Sequence, residues 1–274
     1  MMDQLAKNPY AQPGISRSYH GYRQDRLVKM RPAEGPPDAV AAMVHAQFRA
    51  MALSDTYPCV VARSTMRRGD YRFGTYPELG TAAAAAALAA DLWDFIEEFP
   101  ITADRFASFV ATFDGPAFGT EEQFEAQLWQ HLQLMHDADV RHSTWDPTVT
   151  QNPDEYGFSY SFGGRAFFLV GMHPGASRFA RRTAWPTIIF NAHAQFNLLR
   201  DSNRMDRMKD TVRMRDRRLQ GSENPSLRQF DERRSETVMY SGRLVESDWG
   251  CPLRVHHPEG TEDQQQPTEV EVSG

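Results

Sequence analysis

The stretch from Phe158 to Arg200, FSYSFGGRAFFLVGMHPGASRFARRTAWPTIIFNAHAQFNLLR, constrains the fold more than any other part of the chain. Two apolar runs meet head to tail across Gly163-Gly164, and a pair of glycines can take the positive φ of a primed turn, so the stretch reads as a β-hairpin. The second run ends at His173-Pro174, and Arg178, Arg181 and Arg182 follow. A third apolar run, Thr187 to Phe190, gives way to Asn191, His193 and Gln195. Two sheet ends would then each present a histidine beside polar or cationic groups. Function commonly sits in such places, on loops held by rigid strands.

The flanking segments supply helices. Val40, Val44, Phe48 and Met51 recur at helical spacing between Ala39 and Ser54. Thr81 is placed to cap an alanine-rich helix whose buried stripe is Leu88, Leu92, Phe95, Ile96 and Phe99. Thr120 with Gln123 forms a capping-box signature for a helix running to about Asp139. An arginine-rich helix is expected over 204–220, with Met205, Met208, Val212 and Leu219 inward. Further strands are expected over 58–64, 70–76 and 106–113, the first two as a hairpin around Arg67-Arg68-Gly69. Residues 1–38 show no period and read as an extended, partly disordered arm. Residues from about 255 read as an acidic disordered tail. Helices mixed with hairpins argue for a single α+β domain over 39–254, a mixed sheet with helices packed on it.

Composition excludes several classes. The net charge of −6 argues against nucleic acid as a partner, and no run of ~18 apolar residues suggests a membrane span. With no apolar leader and two cysteines, Cys59 and Cys251, far apart in sequence, free thiols in a cytoplasmic protein are expected. There is no phosphate-binding or dinucleotide glycine motif and no nucleophile elbow. His131 and His136 are five apart on one helix, off the spacing that two zinc ligands need, and read as a helix surface. What remains is Cys59, His173, His193 and Cys251 together with three arginines. Taken singly, each has a structural reading: a hydrogen-bonded histidine, a small buried thiol, a solvated guanidinium. Together they match what haem requires, one strong axial donor, cations for two propionates and an aromatic pocket.

The segments YPCVVARSTMRRGDYRFGTY, FEAQLWQHLQ, WDP, FSYSFGGRAFFLVGMHPGASRFARR, WPTIIFNAHAQFNLLR, RDRRLQGSENPSL, YSGR and WGCPL carry a resemblance to the YqcI/YcgG family over roughly residues 40–254. Within it, the chain is similar to the haem proteins of D-cycloserine biosynthesis, which N-hydroxylate the guanidine of L-arginine. A related branch acts on the cyclic guanidine precursor of guanitoxin. The resemblance implies haem b, O2 or peroxide as oxidant, and L-arginine as substrate. Because the chain has no flavin or nicotinamide motif, it also implies an external donor such as a reductase–ferredoxin pair. The expected axial ligand is Cys59, then His173, then His193 and Cys251, since a thiolate favours O–O cleavage. Arg178, Arg181 and Arg182 are expected at the propionates. Asp146 and Glu236 are expected at the substrate guanidinium, with Asn191 and Gln195 at its α-carboxylate. A haem sensor or carrier without turnover, and an oxygenase of another nitrogen substrate, are the alternatives. A homo-oligomer is left open.

Overall fold

The computed structural model describes residues 8–101, 106–117, 119–201, 205–226 and 234–256. The expected hairpin is present as β5 (Tyr160–Phe162) and β6 (Arg165–Met172), at one edge of the sheet. Gly163 and Gly164 both have positive φ, 60° and 71°. The first has a second constraint, because a Cβ there would come within 2.8 Å of Ile96 Cδ1. β6 pairs with β7 (Thr187–Ala192), and β7 with β4 (Ser108–Phe113), both antiparallel. β4 lies parallel to β3 (Tyr71–Tyr76), because the chain between them crosses over through α3 (Ala82–Glu98). The seven strands run β2-β1-β3-β4-β7-β6-β5, one mixed sheet with helices packed on it, as the α+β reading expects.

Strand alternation sorts the side chains onto two faces. Phe109, Ala111, Phe113, Phe167, Leu169, Ile188 and Phe190 turn to one face. There α3 and α4 (Glu121–Asp139) bring Leu88, Leu92, Phe95, Phe124, Leu128 and Leu132 onto them. Thr81 Oγ1 accepts from Ala84 N to start α3, and Thr120 and Gln123 close the capping box of α4. The small alanines Ala84, Ala87 and Ala90 are buried in this layer. Val110, Ile189 and Met172 turn to the opposite face, where α1 (Ala39–Leu53) packs through Val44 and Phe48. α2 (Val60–Arg68), α5 (His193–Asp201) and α6 (Met205–Gln220) complete that layer.

Two expectations are corrected. Residues 58–64 do not form a strand; the chain turns at Pro58 and enters α2 with Cys59 as its N-cap. The β-branched Val60-Val61 pair suggests a strand, but Val61, Ala62, Thr65 and Met66 share one helical stripe. The stripe can face the sheet only from a helix, and Gly69 closes α2 in the left-handed region at φ 71°. Nor is all of 1–38 an arm. Tyr19–Arg23 (β1) and Arg26–Arg31 (β2) form a hairpin that joins the sheet through β1 against β3. Its two-residue loop, Gln24 and Asp25, sits at φ 49° and 57° without a glycine, so the usual sequence signal is missing. The acidic tail from residue 257 onward lies outside the described residues. Among the described residues, no helix is long and apolar enough to cross a membrane.

Candidate functional site

The α1/α2/α6 face is not closed. Between the sheet and those helices lies a cavity of about 220 Å³. Its floor comes from one face of three strands: Ser108 and Val110 from β4, Phe168 and Val170 from β6, Ile189 and Asn191 from β7. α2 forms one wall through Val61, Ala62, Thr65 and Met66. Met208, Val212 and Asp216, spaced four apart on α6, form the roof. Tyr57, Cys59 and Arg181 also line the cavity.

Cys59 is the thiol on this cavity. As N-cap of α2 its Sγ accepts from Ala62 N at 3.4 Å, where the helix N-terminus favours negative charge. Burial pushes its pKa up and dominates; the backbone N–H groups of Ala62 and Val61 and the positive charge of Arg181 pull it back down. Without further stabilisation the group is a thiol. A cationic centre bound at sulfur would add what is missing. Cys251 lies on the other side of the sheet, packed with Trp249 against the α3/α4 core, and burial pushes its pKa up to about 12. The two cysteines are free.

The histidines are not on the cavity wall. His173 is buried and stacked on Phe124 with ring centroids 4.4 Å apart, and burial pushes its pKa down. His193 opens α5 with Nε2 3.9 Å from Glu236 Oε2. Glu236 is itself buried, accepting from Ser159 Oγ at 2.5 Å and from Tyr240 Oη. That set is a buried polar cluster beside the hairpin, apart from the cavity lining.

The three arginines separate. Arg178 forms a buried ion pair, donating from Nη2 to Asp216 Oδ2 at 2.5 Å, and also bonds Ser222; it ties α6 to the connection between β6 and β7. Arg181 faces the cavity, but its guanidinium also holds three backbone carbonyls: Gly171 at 2.8 Å, Met239 at 3.0 Å and Tyr240 at 3.4 Å. Burial lowers its pKa. Arg182 is exposed, stacked over Phe179 at 4.6 Å and bonded to Ala176 O. The three arginines thus diverge, and Arg181 alone of them lines the cavity.

Of the polar residues expected around a substrate, Asn191 lines the cavity, tied across strands by Ser108 Oγ at 2.8 Å and to Phe168 O at 3.3 Å. Gln195 is buried and accepts from Ala107 N at 3.2 Å, off the lining. Asp146 clasps its own turn through Thr148 and reaches Ala166 N at 2.8 Å, pinning the hairpin instead of facing a ligand. Two lining residues stand outside the sequence expectations. Asp216 continues the Met208–Val212 stripe, and among the described residues its Oδ1 makes no hydrogen bond. Thr65 Oγ1 is buried without a hydrogen-bond partner on the cavity wall, its residue 1% exposed. Leaving a hydroxyl so placed costs about 1–3 kcal/mol, which a polar ligand would recover. Among the described residues no three His, Cys, Asp or Glu side chains cluster as a metal site.

A cavity with one thiol at a helix N-terminus, an apolar lining and one buried guanidinium fits a group that takes a single protein ligand, as haem does. Its volume is below the ~300–1,000 Å³ of ligand sites.

The family model for the YqcI/YcgG family matches residues 48–254, and the chain belongs to that family. The protein YcgG of Bacillus subtilis (strain 168) is 26% identical over 129 residues, spanning 44% of this chain and 49% of that protein. No solved structure matches the chain significantly.

Proposed function

We propose that this YqcI/YcgG-family protein is a haem-dependent oxygenase that N-hydroxylates the guanidine of free L-arginine, with Cys59 as axial ligand. One observation carries the ligand assignment. Of the four candidate donors, Cys59 alone lies on the wall of the cavity, held at the α2 N-terminus with its sulfur accepting a backbone N–H. The arginine substrate comes from the sequence resemblance, and the cavity supplies groups that suit it.

Bound there, haem would supply activation of O2 or peroxide, a chemistry that a thiolate donor assists. The chain's residues do the rest. The Ala62 and Val61 amides hold negative charge on Cys59 sulfur. Arg181, on the wall with its charge unopposed by a carboxylate at ion-pair distance among the described residues, takes one anionic group, a propionate or the substrate α-carboxylate. Asp216 takes over the role expected of Asp146 and Glu236. One oxygen is fixed by Arg178, leaving Oδ1 to accept from the substrate guanidinium. Asn191 and Thr65 are the remaining polar groups on the wall, and Phe168, Val170 and Ile189 exclude water.

The test is an absorption spectrum of protein expressed with a haem precursor, recorded ferric and as the ferrous–CO complex, with and without L-arginine. Stoichiometric haem, a thiolate-type CO band and an arginine-dependent spin shift are expected, with Nω-hydroxy-L-arginine found by mass. Cys59→Ser should lose the thiolate band. Retention of an unchanged Soret spectrum by that variant would remove Cys59 as ligand. Full haem with no arginine response and no product would favour a carrier or sensor.

A further inference from the structure

α2 separates two different environments. Val61, Ala62, Thr65 and Met66 face the cavity, whereas Val60, Arg63, Ser64, Arg67 and Arg68 face outward. With Arg215 of α6, these outward residues line a surface cleft of about 360 Å³, so four of its six lining residues are arginines. The chain as a whole carries −6; the cleft is a local inversion of that charge. Its neutralisation is incomplete. Arg63 reaches the exposed Asp55 at 2.8 Å, but neither Arg67 nor Arg215 has an ion-pair partner among the described residues. Arg215 Nη1 is buried with no hydrogen bond. Val60, bonded directly to Cys59, is part of the cleft. A helix with its side chains is ~10–12 Å across, so the cleft and the cavity thiol are one helix apart.

We infer that the α2/α6 arginine cleft is the docking site of an acidic one-electron carrier of the iron–sulfur ferredoxin type, which delivers electrons across α2 to the Cys59 side of the cavity. This rests on the oxygenase reading. Each docking would transfer one electron, the carrier's cluster being oxidised and the haem that Cys59 would hold being reduced. Two transfers with two protons balance the insertion of one oxygen atom of O2 into the guanidine, the other oxygen leaving as water. An acidic protein is repelled by the chain's net charge of −6 and attracted to this cationic cleft, where attraction raises association rate and falls with salt. A small anion would meet the same arginines, but the cleft is open along all of α2 and runs beside the thiol, which suits a protein surface.

The experiment is calorimetric titration of the full haem-loaded chain with an acidic plant-type [2Fe–2S] ferredoxin at low and high salt. It is repeated with Arg67→Glu/Arg68→Glu and with Arg141→Glu/Arg254→Glu, two exposed arginines elsewhere that make the same charge change. Salt-sensitive binding weakened at least about tenfold by the first pair and under about twofold by the second supports the site. Equal losses, no ferredoxin isotherm, or heat from inorganic pyrophosphate alone overturns it, the last identifying a small-anion site. Because heat does not depend on haem, the same titration on haem-free chain separates the two ideas. Ferredoxin binding without haem uptake sinks the oxygenase, whereas haem uptake without ferredoxin binding sinks only the docking site. Circular dichroism confirms that the variants are folded.

Discussion

The two faces of the sheet are built from the same strands and differ in what covers them. On the α3/α4 face, Phe109, Phe113, Phe124, Leu128, Leu169 and Ile188 are all 0% exposed and belong to one packed cluster. On the α1/α2/α6 face, the alternate residues of those strands border about 220 Å³ of space. Among the described residues, buried polar atoms are left without partners on both faces, Trp129 Nε1 and His131 Nε2 on the closed one and Thr65 Oγ1 on the open one. On the closed face, Asp139 is met by Tyr10 Oη and by Gly163 N at 3.0 Å. On the open face, Asp216 Oδ2 accepts from Arg178 Nη2 at 2.5 Å. One face makes the domain stable, and the other forgoes packing to keep room for a ligand.

Adjacent isoleucines of β7 give the sharpest contrast. Ile188→Ala opens a void in a sealed layer and should cost about 3–5 kcal/mol, whereas Ile189→Ala only enlarges an existing space and should cost about 1–2 kcal/mol. Urea denaturation of the two variants measures the gap; equal costs would mean that the cavity is closed in solution. Acid stability comes next. Burial pushes the pKa of His131, on the closed side, down to about 3, and that of His45, on the buried side of α1, to about 4, from 6.5. Both folded pKa values lie below the unfolded one. The unfolded chain therefore binds protons that the folded chain refuses, and the stability these residues contribute above pH 6.5 is lost progressively as pH falls towards 4 and then 3. Denaturation midpoints against pH should fall through that window. His131→Gln should flatten the slope more than His45→Gln, and the reverse order would break the contrast between the faces. The smallest effect is Thr65→Val. Removing a hydroxyl that has no partner should leave stability unchanged or raise it by up to about 1 kcal/mol, seen as a small rise in Tm, while weakening whatever ligand that hydroxyl serves.

Much of the closed face was legible in the sequence. Its helices carry their own start signals, Thr81 and the Thr120–Gln123 box, and its hairpin carries the Gly163-Gly164 pair. The open face was harder because its information is long-range. Val60-Val61 reads as a strand locally, and only packing against the sheet makes it helical. Asp216 sits among arginines and reads as a solvated charge, although its place four residues beyond Val212 on the inward stripe was available as a sign. Arg178, Arg181 and Arg182 are near neighbours in sequence but turn to an ion pair, to backbone carbonyls and to solvent, a divergence that spacing along an irregular loop does not reveal. Cys59, expected as an axial ligand at a strand end, lies on the cavity wall as a helix cap.

The strand order also sets when the cavity comes into being. Strands β2-β1-β3-β4 come from residues 19–113 and β7-β6-β5 from residues 160–192, and the two groups touch only along the β4–β7 seam, where Ser108 meets Asn191. The cavity floor straddles that seam. As the chain emerges from the ribosome, Cys59 and the whole first group are made well before β7, and α6, the roof, follows later still. A ligand of this cavity therefore cannot template the early sheet. It can act only on a nearly finished protein, holding two separately made halves together, so its loss should be felt first as loosening at the seam.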